Sequence, residues 1–184
     1  INKPVRCFVT FADTKYKNTL ERINKEAADM KMFEEIYALN EHDLDSDFMN
    51  KHSKFISENA RGYGYWLWKP QVILQTLDKV PYGSVIVYAD AGCTLDSTKR
   101  DELMKYISEI DDKGILAFQF QGDTESGWTK KDCIDRILPD FTESPQIIAT
   151  SIMIQKNRTS EKILKEWKSF CEEYHLIDDT ESYN

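Results

Sequence analysis

The apolar residues alternate between strand-like runs and helical spacing along most of the chain. Val5 to Phe11 (VRCFVTF) is a β-rich run that breaks at the polar turn Ala12-Asp13-Thr14, which predicts a first strand. Leu20, Ile23, Ala27 and Met30 then recur at helical spacing, and Glu35 to Leu39 reads as a second strand, so the chain opens β-α-β. An acidic stretch, Glu41 to Asp47, precedes a weakly amphipathic helix over Phe48 to Glu58, with Phe48, Met49, Phe55 and Ile56 on its apolar side. Arg61 to Pro70 (RGYGYWLWKP) packs aromatics into a glycine-containing loop, and Pro70 suits the first turn of a helix over Gln71 to Leu77. Pro81-Tyr82-Gly83 is a turn. Ser84 to Ala89 (SVIVYA) has the continuous apolar character of a central strand buried on both faces.

The second half repeats the alternation. Ser97 is placed to cap a helix carrying Leu103, Ile107 and Ile110, and Ile115 to Phe120 is the next strand. Gln121 to Gly127 reads as a polar loop leading to Trp128, Thr129 and Lys130, with a short helix over Lys131 to Leu138. Gln146 to Ile154 is β-rich, and Thr159 or Ser160 opens a last helix with Ile163, Leu164, Trp167 and Cys171 inward. The pattern predicts one α/β domain over residues 1–184, Rossmann-like, with a mixed, mostly parallel central sheet flanked by helices.

Composition narrows the function classes. With 184 residues, 41% hydrophobic and 30% charged, the chain is expected to bury a proper core. A net charge of −8 disfavours a nucleic-acid partner, and the sequence has neither an apolar run of membrane-spanning length nor a signal-peptide start. Cys7, Cys93, Cys133 and Cys171 lack CxxC spacing, and His42, His52 and His175 form no zinc pattern, so reduced thiols in a cytoplasmic protein are expected.

The sharpest chemical signal is Asp90-Ala91-Gly92 directly after the central strand, because open α/β sheets bind ligands at the carboxyl ends of their strands. The bland alternative is an aspartate that caps the next element. Lys69 can add positive charge to an anionic ligand or sit solvated ahead of its helix. Tyr63, Tyr65, Trp66 and Trp68 can stack on a base or a sugar face, with core packing expected for at least two of them. Arg61 either binds phosphate or structures the loop.

Taken in order, RGYGYWLWKP, VIVYADAGC, SGWTKKD, and SIMIQKN with SEKILKEWKSFC resemble a family of small bacterial and viral GT-A glycosyltransferases. The resemblance runs from about Val5 to Asp179 and lies close to first domains of multidomain enzymes from large algal DNA viruses. It implies that Thr10, Phe11, Ala12, Asp13 and Tyr16 meet the nucleotide base and ribose. It also implies that Asp90 holds Mn²⁺ or Mg²⁺ against the donor diphosphate, with Ala89, Ala91 and Gly92 beside it. Gly92 stands where the family's DxD pattern has its second acid, so the rest of the ion's shell must come from water, phosphate or a distant side chain.

Arg61, Tyr65, Trp68 and Lys69 join the donor site on this reading, while Asp123, Glu125, Trp128 and Lys130 meet the transferred sugar and the glycan acceptor. Asp90, Lys69 and Asp123 become the catalytic candidates. The implied donor is a UDP-sugar carrying glucose or a deoxyhexose such as rhamnose, transferred with retention. Further domains of a longer polypeptide, and a host cytoplasm for a viral enzyme, also follow from the resemblance. A late His- and Asp-containing block of the family has no match before Asn184, and His175 reads as a surface histidine. The competing reading is a nucleotide-sugar-binding module without catalysis. A nucleotidyltransferase is disfavoured because no glycine-rich basic loop for a triphosphate is present.

Overall fold

The computed structural model describes residues 3–183. Strand β1 (Arg6–Phe11), helix α1 (Lys17–Asp29) and strand β2 (Glu35–Leu39) form the expected opening unit. Helices α2 (Ser46–Glu58) and α3 (Trp68–Leu77) lead to β3 (Val85–Ala89), followed by α4 (Arg100–Ser108) and β4 (Ile115–Thr124). Helix α5 (Lys131–Ile137), strand β5 (Pro145–Gln155) and helix α6 (Arg158–Glu172) complete the order.

The five strands lie in the order β2-β1-β3-β5-β4. β1 pairs parallel with β2 and β3, whereas β5 pairs antiparallel with β3 and β4. β5 alone therefore runs against the rest, as a mixed, mostly parallel sheet requires. The first crossover takes the chain to one side of β1 and the second brings it back to the other. That makes the β1/β3 junction the point where strand order reverses, the position at which an open sheet leaves a crevice.

Side-chain alternation divides the core between the two faces of the sheet. Cys7, Val9, Phe11, Ile86, Tyr88, Ile152 and Ile154 meet α2, α3 and α6 through residues such as Phe48, Ile73 and Leu164. Phe8, Ala12, Val87, Ala89 and Met153 meet α1 through Leu20, Ile23 and Ala27, with Leu103 and Ile107 of α4 packed alongside. The inward residues of α1 are those its spacing predicts.

Several local expectations are corrected. Asp96, not Ser97, caps the turn ahead of α4, accepting from the amide of Thr98. β4 continues through Gln121 to Thr124, where a loop was expected, because β5 runs on as far as Pro145 to pair with it. α6 opens at Arg158 behind an Asn157 cap, and Ser160 returns a bond to the Asn157 amide. Ile163 is exposed, while Leu164 and Cys171 are buried. All four cysteines are free thiols, two of them buried. No helix among the described residues is long and apolar enough to cross a membrane.

His52 ties α2 to the end of α6. It is 1% exposed, its Nδ1 lies 2.7 Å from the Tyr174 hydroxyl, and Nε2 lies 3.3 Å from a Glu172 carboxylate that also pairs with Lys51. Burial holds the imidazole below its ordinary value of 6.5, outweighing the Glu172 carboxylate. The unfolded chain therefore takes up this proton at higher pH than the folded one, and stability falls as pH drops below 6.5. Denaturant midpoints measured from about pH 7.5 to about pH 5.5 should decline in the wild type and flatten in His52→Gln. Parallel declines in both would assign the effect to other groups.

Candidate active site

The segment between α2 and α3 turns left-handed. Gly62, Tyr63, Gly64, Tyr65 and Trp66 have φ of 57°, 54°, 82°, 52° and 59° in succession. Three of these residues carry side chains, each at a cost of roughly 1–2 kcal/mol that surrounding packing must offset. Two glycines make the turn possible. A Cβ on Gly62 would lie 2.6 Å from the Trp66 ring, and one on Gly64 would lie 2.9 Å from Cγ1 of Ile56. Trp68 Nε1 donates to the Gly62 carbonyl at 2.9 Å and closes the turn from inside. The turn aims Tyr63 at Phe11, 6.0 Å between ring centroids, and leaves Trp66 42% exposed.

That wall and the carboxyl ends of β1 and β3 enclose a cleft of about 460 Å³. Phe11, Ala12 and Asp13 line it from β1, Asp90, Ala91 and Gly92 from β3, and Tyr63, Trp66 and Trp68 from the turn. Phe11 and Trp68 pack against each other at 4.1 Å and are almost wholly buried, so they present edges, and Trp66 supplies the exposed ring. The Asp13 carboxylate accepts from the Lys15 amide, which turns Lys15 and Tyr16 into the mouth of the cleft. Burial, reinforced by the Glu41 and Asp13 carboxylates, raises the Tyr63 phenol pKa and keeps it protonated.

Asp90 is fixed from below. Lys69, 5% exposed, places Nζ 2.8 Å from Asp90 Oδ1 and donates to the Ala149 carbonyl at 2.9 Å. The Tyr88 hydroxyl donates to the same Oδ1 at 2.5 Å, and burial together with the Asp90 charge holds that phenol well above its ordinary pKa. No hydrogen bond reaches Oδ2 among the described residues, and Asp90 lines the cleft. Arg22, on α1, donates to the carbonyls of Ala91 and Cys93 and holds the loop after Asp90 from the other face.

The remaining candidates separate. Ala89 and Thr10 are buried beneath the cleft, and Thr10 Oγ1 has no hydrogen-bond partner among the described residues. Arg61, Tyr65, Trp128 and Lys130 line a second cleft of about 540 Å³, whose far wall is Leu176 to Thr180. Trp66 lines both clefts. Asp123 lines neither of them. Lys69 is not solvated but buried. His175 is held on both ring nitrogens, by Asp132 and by Thr180, and stacks on Tyr183. Sequence reasoning missed Lys15, Thr19 and Ala60 in the first cleft, and Tyr88 and Arg22 behind it. The turn signal at Asp13 could have found Lys15; nothing local marks Arg22, which meets its partners about 70 residues on.

Among the described residues no three His, Cys, Asp or Glu side chains converge as a cation site. Asp90 offers one carboxylate with Oδ1 already engaged, so its donor set suits an ion shared with a ligand's phosphates and not one the protein holds alone.

No protein-family model matches the chain, and no curated protein matches it. A solved structure does: the crystal structure of a glycosyltransferase involved in the glycosylation of the major capsid of PBCV-1, with a TM-score of 0.50 and 10% identity. The alignment covers 90% of this chain and 66% of that one, so this chain spans about two thirds of that protein's length. At this identity the likeness is one of fold. The chain has a glycosyltransferase-like fold.

Lys69→Met should cost about 3 kcal/mol in urea denaturation, because it strands a partly buried carboxylate, and adding Asp90→Asn should restore part of that loss. Additive losses would show that the two groups do not depend on each other. Gly64→Ala should lose roughly 2 kcal/mol through its left-handed backbone and the contact with Ile56. An unchanged midpoint would mean that the turn relaxes freely.

Proposed function

We propose that this chain is a nucleotide-sugar-dependent glycosyltransferase whose donor occupies the β1/β3 cleft. The observation that supports this best is the fixed Asp90 carboxylate, its second oxygen free of internal hydrogen bonds, at the carboxyl end of a central strand and at the point where strand order reverses. The buried Lys69 holds Asp90 in place, so the carboxylate meets a ligand without reorganising. Tyr63 and the exposed Trp66 ring offer apolar surface to a base, and Asp13 offers a carboxylate to ribose hydroxyls. Lys15 stands at the mouth as a cation for phosphate.

The donor on this reading is a UDP-sugar, with glucose or rhamnose as the transferred group, and transfer to a glycan acceptor retains configuration. Mn²⁺ or Mg²⁺ shared between Asp90 and the donor's phosphates would neutralise charge on the leaving diphosphate. The protein's own part is to hold the carboxylate, shape the cleft with the left-handed turn and keep the Tyr88 proton on its phenol. A second reading, a binding module without turnover, is favoured by one observation: Asp123 lies outside the Asp90 cleft, where Asp13, assigned here to the ribose, is the other lining carboxylate.

Calorimetric titration of UDP and UDP-sugars with and without Mn²⁺ tests the proposal. Binding in the micromolar range that tightens with Mn²⁺ and drops at least about tenfold in Asp90→Ala is expected. Binding indifferent to both metal and Asp90 would overturn the site. Sugar transfer or slow donor hydrolysis by the wild type supports the enzyme, and binding without either supports the module.

A further inference from the structure

The second cleft carries two cations, and both are engaged by consecutive aspartates of one short segment. Lys130 Nζ meets Asp178 at 2.9 Å and also donates to the His175 carbonyl at 2.6 Å and to Thr180 Oγ1 at 3.0 Å. Arg61 Nη1 meets Asp179 at 2.5 Å. The two pairs differ in burial. Side-chain exposure is 14% and 18% for Lys130 and Asp178, against 61% and 55% for Arg61 and Asp179.

A mostly covered pair with further hydrogen bonds is costly to break from one side, so Lys130 anchors the segment. An exposed pair contributes little, is screened by salt and exchanges its partner readily. Arg61 also lies over the Trp66 ring, 5.6 Å from its centroid, and Trp128 across the cleft is 66% exposed. A guanidinium over one exposed indole, in a cleft lined by a second, offers charge-assisted bonds to an anionic group and flat apolar faces to a sugar ring.

From this geometry we infer that the Trp66–Trp128 cleft is a site for a phosphate-bearing sugar, and that Asp179 occupies Arg61 until the ligand's phosphate displaces it. Asp179 stands where a phosphate oxygen would, and its release converts a neutral pair into an available cation while the Lys130–Asp178 anchor holds the segment. The site is distinct from the Asp90 cleft and touches it through Trp66. It does not depend on the reaction proposed for that cleft.

Glucose 1-phosphate titrated at low ionic strength into wild type, Asp179→Asn, Arg61→Gln and the double variant tests this, with intrinsic tryptophan fluorescence as readout. Asp179→Asn should tighten binding by about tenfold, and the double variant should fall back to the level of Arg61→Gln. A gain confined to glucose 1-phosphate identifies a separate phosphorylated sugar, and an equal gain with UDP identifies the donor's own diphosphate reaching past Trp66. No gain in Asp179→Asn, or a gain that survives loss of Arg61, overturns the proposal. Asp90→Ala is titrated alongside with both ligands: loss of UDP binding with glucose 1-phosphate binding intact reports on the first cleft, so failure at either site is read separately.

Discussion

The Lys69 ammonium has almost no access to water, and much of the site follows from how it is satisfied. A buried cation is tolerated only when paired and hydrogen-bonded. Its partners here are the Asp90 carboxylate after β3 and the Ala149 carbonyl on β5. One side chain from the first turn of α3 therefore links a helix, a central parallel strand and the antiparallel strand beside it. Asp90 in turn is taken from both sides of the sheet, by Lys69 and Tyr88 on one and through the Arg22-held loop on the other. A carboxylate restrained in this way cannot swing, which suits recognition of a fixed polar pattern and limits how it can reach a free ion.

The left-handed turn is the second constraint, and it serves the first. To bring Lys69 under the end of β3, the chain must reverse within the few residues that follow α2. Five successive positive φ values do this at a backbone cost that ordinary loops avoid. The return is a wall shared by two clefts: the turn buries Trp68 against Phe11 and pushes Trp66 outward between them. Strain held at a ligand-sized cleft, and offset by aromatic packing and by the Trp68 bond to Gly62, is the pattern of a preorganised site.

Most of the fold was legible because the apolar periods are clean. β2 matches its predicted span, and Leu20, Ile23 and Ala27 face inward as their spacing requires. The failures have tertiary causes. Gln121 to Thr124 looked like a loop because polar residues suit a solvent-facing edge strand as well as a turn, and only the β5 pairings at either side, Gln119 with Ile147 and Thr124 with Pro145, carry the strand through them. The site was half legible. Asp90 and the Phe11-Ala12-Asp13 turn share a cleft, but Arg61, Tyr65, Trp128 and Lys130 belong to a neighbouring one, a division that linear order does not reveal. Lys69 was readable as important and unreadable as buried, since the sequence marks a lysine's charge but not the carbonyl that will accept from it.

By itself the sequence determined the alternation of strands and helices, the apolar faces, the central strand ending in Asp90, and the glycine-spaced aromatic loop. These depend on local periodicity and on which residues tolerate positive φ. Tertiary structure decided the strand order and so the reversal point between β1 and β3. It paired Lys69 with Asp90, Arg61 with Asp179 and Lys130 with Asp178, and it divided one aromatic loop between two clefts. Those outcomes join residues up to more than a hundred positions apart, and only the packing of both sheet faces brings them within reach of one another.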